Sequence, residues 1–185
     1  MNRAKFFKLT RLNPDSHAAL RRRDQEPVRV EERDGYTPFG ALAVLIADSF
    51  ASAPDGLGSN RSLVTGIVRD CLPLLCAAGA DIEASYAAFM AGADDAADSF
   101  IYAGRIATQQ GNTPFVGTVS DMAAALAAEP RVLRLAMVNV TIAYTVLEKR
   151  AGRAGFEGEL ASMWPDPKTF ETATERKETT RKVAV

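Results

Sequence analysis

Residues 99–117 read SFIYAGRIATQQGNTPFVG, and the architecture turns on how this stretch is read. A helical stripe opened by Asp81 runs through Ile82, Tyr86, Phe89 and Met90, bends at Gly92 and resumes through Phe100 and Ile101 to about Ile106. The polar TQQGNTPFVG at 108–117 then reads as a loop. On that reading the chain contains helices and almost no strands. Upstream, Thr37-Pro38 supplies an N-cap and a proline at the first helical position. Phe39, Leu42, Leu45, Ile46 and Phe50 continue as one stripe to about Ala53. Pro54 to Gly58 form a turn, and a second helix runs from Ser59/Asn60 to Gly79 with a kink at Pro73. Ser120-Asp121 opens a fourth helical region that Pro130 interrupts, restarting from Arg131 to Arg150 and closed by Gly152. Four helices on short and medium loops predict an all-α fold, an antiparallel four-helix bundle with an extended N-terminal arm and a C-terminal tail.

Composition sets the boundaries. The 185 residues are 47% apolar, enough for one core and a single domain. Residues 1–34 carry nine Lys/Arg against six Asp/Glu, residues 35–150 seven against eleven, and residues 151–185 six of each. This divides the chain into a basic flexible arm (1–36), a bundle core (37–164) and a polar charged tail (165–185). The uncharged run from Leu135 to Leu147 has 13 residues, too few for a membrane span, and reads as a buried helix. No secretory signal pattern precedes it.

Catalytic chemistry finds little support. His17 is the sole histidine, and the two cysteines, Cys71 and Cys76, are five apart on a predicted helix, which turns them away from each other. Both read as reduced, buried thiols. These counts remove most metal sites and nearly every imidazole-dependent mechanism. Gly56-Leu57-Gly58 lacks the third glycine of a dinucleotide fingerprint, and there is no phosphate loop. No enzyme activity, cofactor or metal is expected. Asp94, Asp95 and Asp98 form a carboxylate cluster that reads as a solvated face; across a subunit contact the same charges would repel one another and loosen it as pH rises.

The segment GFEGELASMW at 155–164 carries the functional reading. Phe156, Leu160, Met163 and Trp164 fall on one face of a short helix, with Glu157 and Glu159 turned outward. Phe-Glu followed by Trp eight residues after the Phe, directly behind a long apolar helix, resembles the C-terminal signature of coat proteins of rod-shaped RNA viruses. These are the tobacco mosaic virus type and its virgavirus- and benyvirus-type relatives. Phe100 with Arg105-Ile106 is similar to the end of that family's third helix. Where the family opens its fourth helix with arginine near aspartate, this chain reads AEPRVLR at 128–134, in a different order.

The resemblance implies a structural coat protein that self-assembles into a helical capsid around single-stranded RNA, contacting the RNA backbone without sequence specificity. Its partners would be RNA and itself, as an open helical homopolymer, with no membrane; its place would be the virion, and the host cytoplasm during assembly. Arg105, Arg131 and Arg134 would line a phosphate groove at one end of the bundle. Phe156, Glu157, Leu160 and Trp164, with Phe100, would seal one subunit against the next, or fold back on their own bundle. A competing expectation comes from alanine-rich segments such as MAAALAA and ASYAAFMAGADDAAD: a helical bacterial or phage adaptor forming a small oligomer without nucleic acid.

Overall fold

The computed structural model describes residues 1–28, 36–52, 60–128, 131–161 and 163–170. At its centre is a helix buried around almost its whole circumference, labelled α3 below. Thr37 caps it by accepting from the Gly40 amide at 3.0 Å, and Pro38 occupies its first turn. Gly40, Ala41, Ala43 and Ala47 are small enough for neighbours to approach from every side, while Phe39, Leu42, Ile46 and Phe50 are 2% exposed or less.

Around it the described chain runs α1 (Arg3–Thr10), α2 (Pro14–Arg22), α3 (Pro38–Ala51), α4 (Arg61–Ala77), α5 (Gly79–Ala91), a 3-10 turn (Ala96–Ser99), β1 (Tyr102–Thr108), β2 (Gly111–Gly117), α6 (Val119–Ala128), β3 (Val132–Asn139), α7 (Val140–Ala154) and a second 3-10 turn (Glu157–Glu159). Helices α4 and α5 meet at 82°. No single helix among the described residues is long and apolar enough to cross a membrane.

The expected all-α four-helix bundle is therefore wrong: helices α3, α4, α5 and α7 pack with a three-stranded antiparallel sheet in the order β2-β1-β3. Phe100 to Ile106 does not end a helix but leads into β1. The presumed loop 108–117 closes a hairpin, with Thr108 paired to Gly111 across Gln109-Gln110. Gly111 adopts φ +148°, a conformation open to glycine. The apolar run from Leu135 to Leu147 splits, half in β3 and half in α7.

The physical reason is a strand apolar on both sides. Ala103, Ala136 and Val138 are buried on the side of α3 and α4, while Ile106 is buried on the opposite face. With both faces apolar the two-residue alternation blurs into something that passes for a helix. Gly104 is the missed signal: a Cβ built there would lie 1.9 Å from the Ala136 carbonyl oxygen, so β3 can close on β1 only at a glycine.

Within the segment read as an arm, α1 and α2 are helical, and Phe6 and Leu9 are 1% and 0% exposed. Lys5 pairs with Glu159, and the Arg150 guanidinium donates to the Leu9 carbonyl at 2.7 Å, so α1 is clamped to the end of α7 and the turn beyond it. His17 is buried among Phe6, Phe7 and Tyr36, with Nε2 at 2.8 Å from Glu26. Burial holds its imidazole below the ordinary value, and Arg21 and Arg3 add to the effect. Of the tail, Phe170 packs on Phe39 at 5.7 Å; residues 171–185 lie outside the described residues.

Replacing Gly104 with alanine should destabilise the protein by about 1–3 kcal/mol, since a methyl group must push β3 off β1. Urea unfolding of G104A against the parent measures this, and equal midpoints would contradict the close strand approach.

Candidate nucleic-acid interface and assembly surfaces

The three arginines expected to meet RNA sit on the sheet, not at helix ends. Arg105 on β1 lies opposite Ala136, and Arg134 on β3 lies opposite Ala107. Residues 105, 107, 134 and 136 share one face, so Arg105 and Arg134 are diagonal neighbours about 7–8 Å apart at the backbone. Arg131 stands exposed in the turn entering β3, at the same, hairpin end of the sheet. Arg131 and Arg134 thus lie toward the hairpin end, while Arg105 stands at the middle of β1.

Their electrostatic states differ. Arg105 donates to Asp70 of α4 at 2.6 Å, and its side chain is only 16% exposed. Gly66, one helical turn earlier, lies against it: a Cβ there would come to 3.9 Å from Nη2, ordinary contact. Arg131 and Arg134 are exposed and form no ion pair among the described residues. Among the described residues two cations without an ion pair, Arg131 and Arg134, therefore stand toward this end, and a neutralised one, Arg105, at mid-strand. Asp70 was not singled out in the sequence, because only the fold sets it beneath β1.

The aromatic motif packs on its own subunit. Trp164 stacks on Tyr144 at 6.0 Å, meets Phe39 edge-on and donates Nε1–H to Glu83 at 2.6 Å. Gly79 admits the indole, since a Cβ there would lie 2.6 Å from it. Leu160 and Met163 are buried. Phe156 is half-buried beneath the ammonium groups of Lys5 and Lys8, at 5.0 and 5.7 Å. Glu157 is exposed in the 3-10 turn, where no helix forms. Phe100 stands apart from them, edge-on to Phe89 at 5.4 Å.

Asp94, Asp95 and Asp98 are exposed just before β1, at the opposite end of the sheet from the arginines. Among the described residues no group of three His, Cys, Asp or Glu side chains is placed to hold a metal. Cys71 and Cys76 are free and buried. Burial pushes the Cys71 thiol up to about 11, and it donates to the Gly104 carbonyl at 3.1 Å, pinning α4 to β1. Burial likewise raises Cys76 to about 12.

Sequence reading missed the uncovered apolar surface. Helix α6, VSDMAAALAA, is capped by Thr118, whose N–H donates to Asp121 at 2.8 Å and whose Oγ1 accepts from the Asp121 amide at 3.2 Å. Those bonds hold the Asp121 carboxyl below its usual range. None of the ten residues of α6 is buried. Leu133 and Leu135 on β3 are 66% and 37% exposed. The alternation Leu133, Leu135, Met137 against Arg134, Ala136, Val138 is visible in VLRLAMVN, but it hid inside a run read as helix.

Between α5, the strands and the start of α6 lies a groove of about 470 Å³ lined by Ala84, Ser85, Ala88, Ile101, Val116 and Asp121. No family model, curated protein or solved structure matches this chain.

Two outcomes are expected. Trp164→Phe should cost about 1 kcal/mol through removal of the bond to Glu83 and leave oligomeric state unchanged, by denaturation and sedimentation; a change in assembly would make Trp164 an intersubunit residue. In the folded protein at pH 8 both thiols should resist alkylation, with roughly one in a thousand or fewer ionised, and react once urea unfolds the chain. Rapid native labelling would contradict their burial.

Proposed function

We propose that this chain is a structural subunit that associates with copies of itself and holds single-stranded RNA by its backbone, as in a coat. One observation carries the reading: an apolar helix, α6, stands with none of its residues buried. Exposed apolar side chains, Val119 on α6 with Leu133 and Leu135 on β3, give a surface of the kind that partners cover. Arg131 and Arg134, exposed with Arg105 behind them, supply cations at one end of the subunit. Guanidinium groups in a row neutralise phosphates without reading bases. Heterologous contacts repeated from copy to copy would build an open polymer.

A second reading draws on Asp70. Because that carboxylate already neutralises Arg105, an adaptor that forms a small oligomer without nucleic acid needs no further account of the pair.

Purified protein should carry nucleic-acid absorbance and form filaments under negative stain. Discrete oligomers free of nucleic acid would favour the adaptor, and a monomer that ignores RNA would sink both. If the arginine end holds the backbone, Arg134→Ala should weaken binding to single strands of any sequence. The slope of log affinity against log salt should become shallower by about 0.7 for each phosphate that the variant no longer neutralises. Arg105→Ala should have the smaller effect, its charge being taken up by Asp70.

A further inference from the structure

The two edges of the sheet are chemically unlike. A strand presents the backbone groups of alternate residues to alternate sides. Val140 N–H donates to the Ile101 carbonyl at 2.8 Å, just beyond the paired ends of β3 and β1. Counting back from that bond, Val138, Ala136 and Arg134 turn their backbone groups toward β1, opposite Ala103, Arg105 and Ala107. Leu135 and Met137 then turn theirs outward, to the free side of β3.

The same parity carried across β1 gives Gly104 and Ile106 to β2, where they face Phe115 and Thr113. Asn112, Pro114 and Val116 therefore point outward on the far edge. Proline has no N–H, so the middle of the β2 edge lacks a donor. The edge of β3 has no proline and no lysine, and beside it stand Leu133 and Leu135, exposed. Open edges of this kind template pairing with another strand.

We infer that β3 pairs antiparallel with β3 of a second copy of this chain across a two-fold axis, joining the two sheets into one of six strands. Charge selects both the occupant and the direction. Arg131 and Arg134 lie at the start of β3, while Asp94, Asp95 and Asp98 lie at the end of the sheet where β3 finishes. Antiparallel pairing about Leu135 sets Arg131 of one copy opposite Asn139 of the other, at the end of the sheet that carries the acidic turn, twice by symmetry, while Arg134 lies opposite Ala136 near the axis. Parallel pairing would instead set Arg131 beside Arg131 and acidic turn beside acidic turn. With the axis at Leu135, Leu133 of one copy lies opposite Met137 of the other and the exposed leucines cover one another on one face. Pro114 disfavours the competing contact between β3 and a neighbour's β2.

This pairing deepens the self-association proposed above by naming one of its contacts. Such a contact closes on itself, so growth into a filament would need a second one, for which α6 is available.

The test uses protein freed of nucleic acid by nuclease. Sedimentation equilibrium should give a dimer or an even-numbered assembly. Leu135→Pro removes an outward N–H and the exposed leucine side chain while leaving the bonds to β1 in place, and should weaken the pairing at least tenfold. Arg131→Glu and Asp98→Arg should each weaken it, and the double variant should restore it.

Should Leu135→Pro fail to fold, hydrogen exchange on the unmodified protein decides the matter: the Leu135 and Met137 amides should be protected, increasingly so with concentration. Fast exchange at both positions, a folded Leu135→Pro variant that assembles like the parent, or a double charge swap that restores nothing would overturn the proposal. RNA-filled filaments with exposed Leu135 and Met137 amides would remove the strand pairing and leave the coat reading. A β3-paired dimer that ignores RNA would do the reverse.

Discussion

Strand β1 can hold both of its neighbours only because position 104 carries no side chain. The Ala136 carbonyl occupies the space where a Cβ would be, and the Cys71 thiol reaches the Gly104 carbonyl from the helix side. That approach puts β1 in the middle, makes β2 and β3 the edges, and fixes which residues face helices and which face out. It also aligns Arg105 and Arg134 on one face, and among the described residues it leaves the backbone groups of Leu135 and Met137 without a strand beside them. The features offered as functional follow from one glycine-mediated approach.

Interior packing and surface chemistry divide the rest of the molecule. Helix α3 is enclosed by α1, α4, α7 and β3, and the only tryptophan seals the far end of the same core against Phe39, Tyr144 and Gly79. The Phe-Glu segment is tied to the N-terminal helix through Lys5, Lys8 and Arg150. Those residues are committed to the subunit itself. Uncommitted surface is concentrated on the sheet side, in α6, the β3 edge, the two free arginines and the acidic turn.

Charge along the sheet is polarised. The cationic end and the anionic end are separated by the length of β1, seven residues or roughly 23 Å. A chain of nearly zero net charge can in this way carry strong local potential of both signs. The Asp70–Arg105 pair sits inside this gradient and reduces it, which is why Arg131 and Arg134 are the more available cations.

The sequence by itself determined the helices whose caps and periodicity agree, Thr37-Pro38 for α3 and Asn60 for α4, the presence of a helix near Ser120-Asp121, though Thr118 caps it, and the buried state of both thiols. These depend on neighbours within a turn or two along the chain, and local physics decides them. The strands were decided only in three dimensions. β1 and β3 carry apolar residues on both faces because a helix layer covers one side while apolar residues also line the other, so the alternation that remains in β3 is masked inside a run that also reads as helix. Pairing of Tyr102 with Asn139 joins segments 37 residues apart, and no local rule anticipates it. The same holds at the site: arginines 105, 131 and 134 were grouped by a family resemblance and by a bundle that does not form, whereas their places on and beside the sheet, the neutralisation of Arg105 by Asp70, and the edge position of β3 are consequences of register.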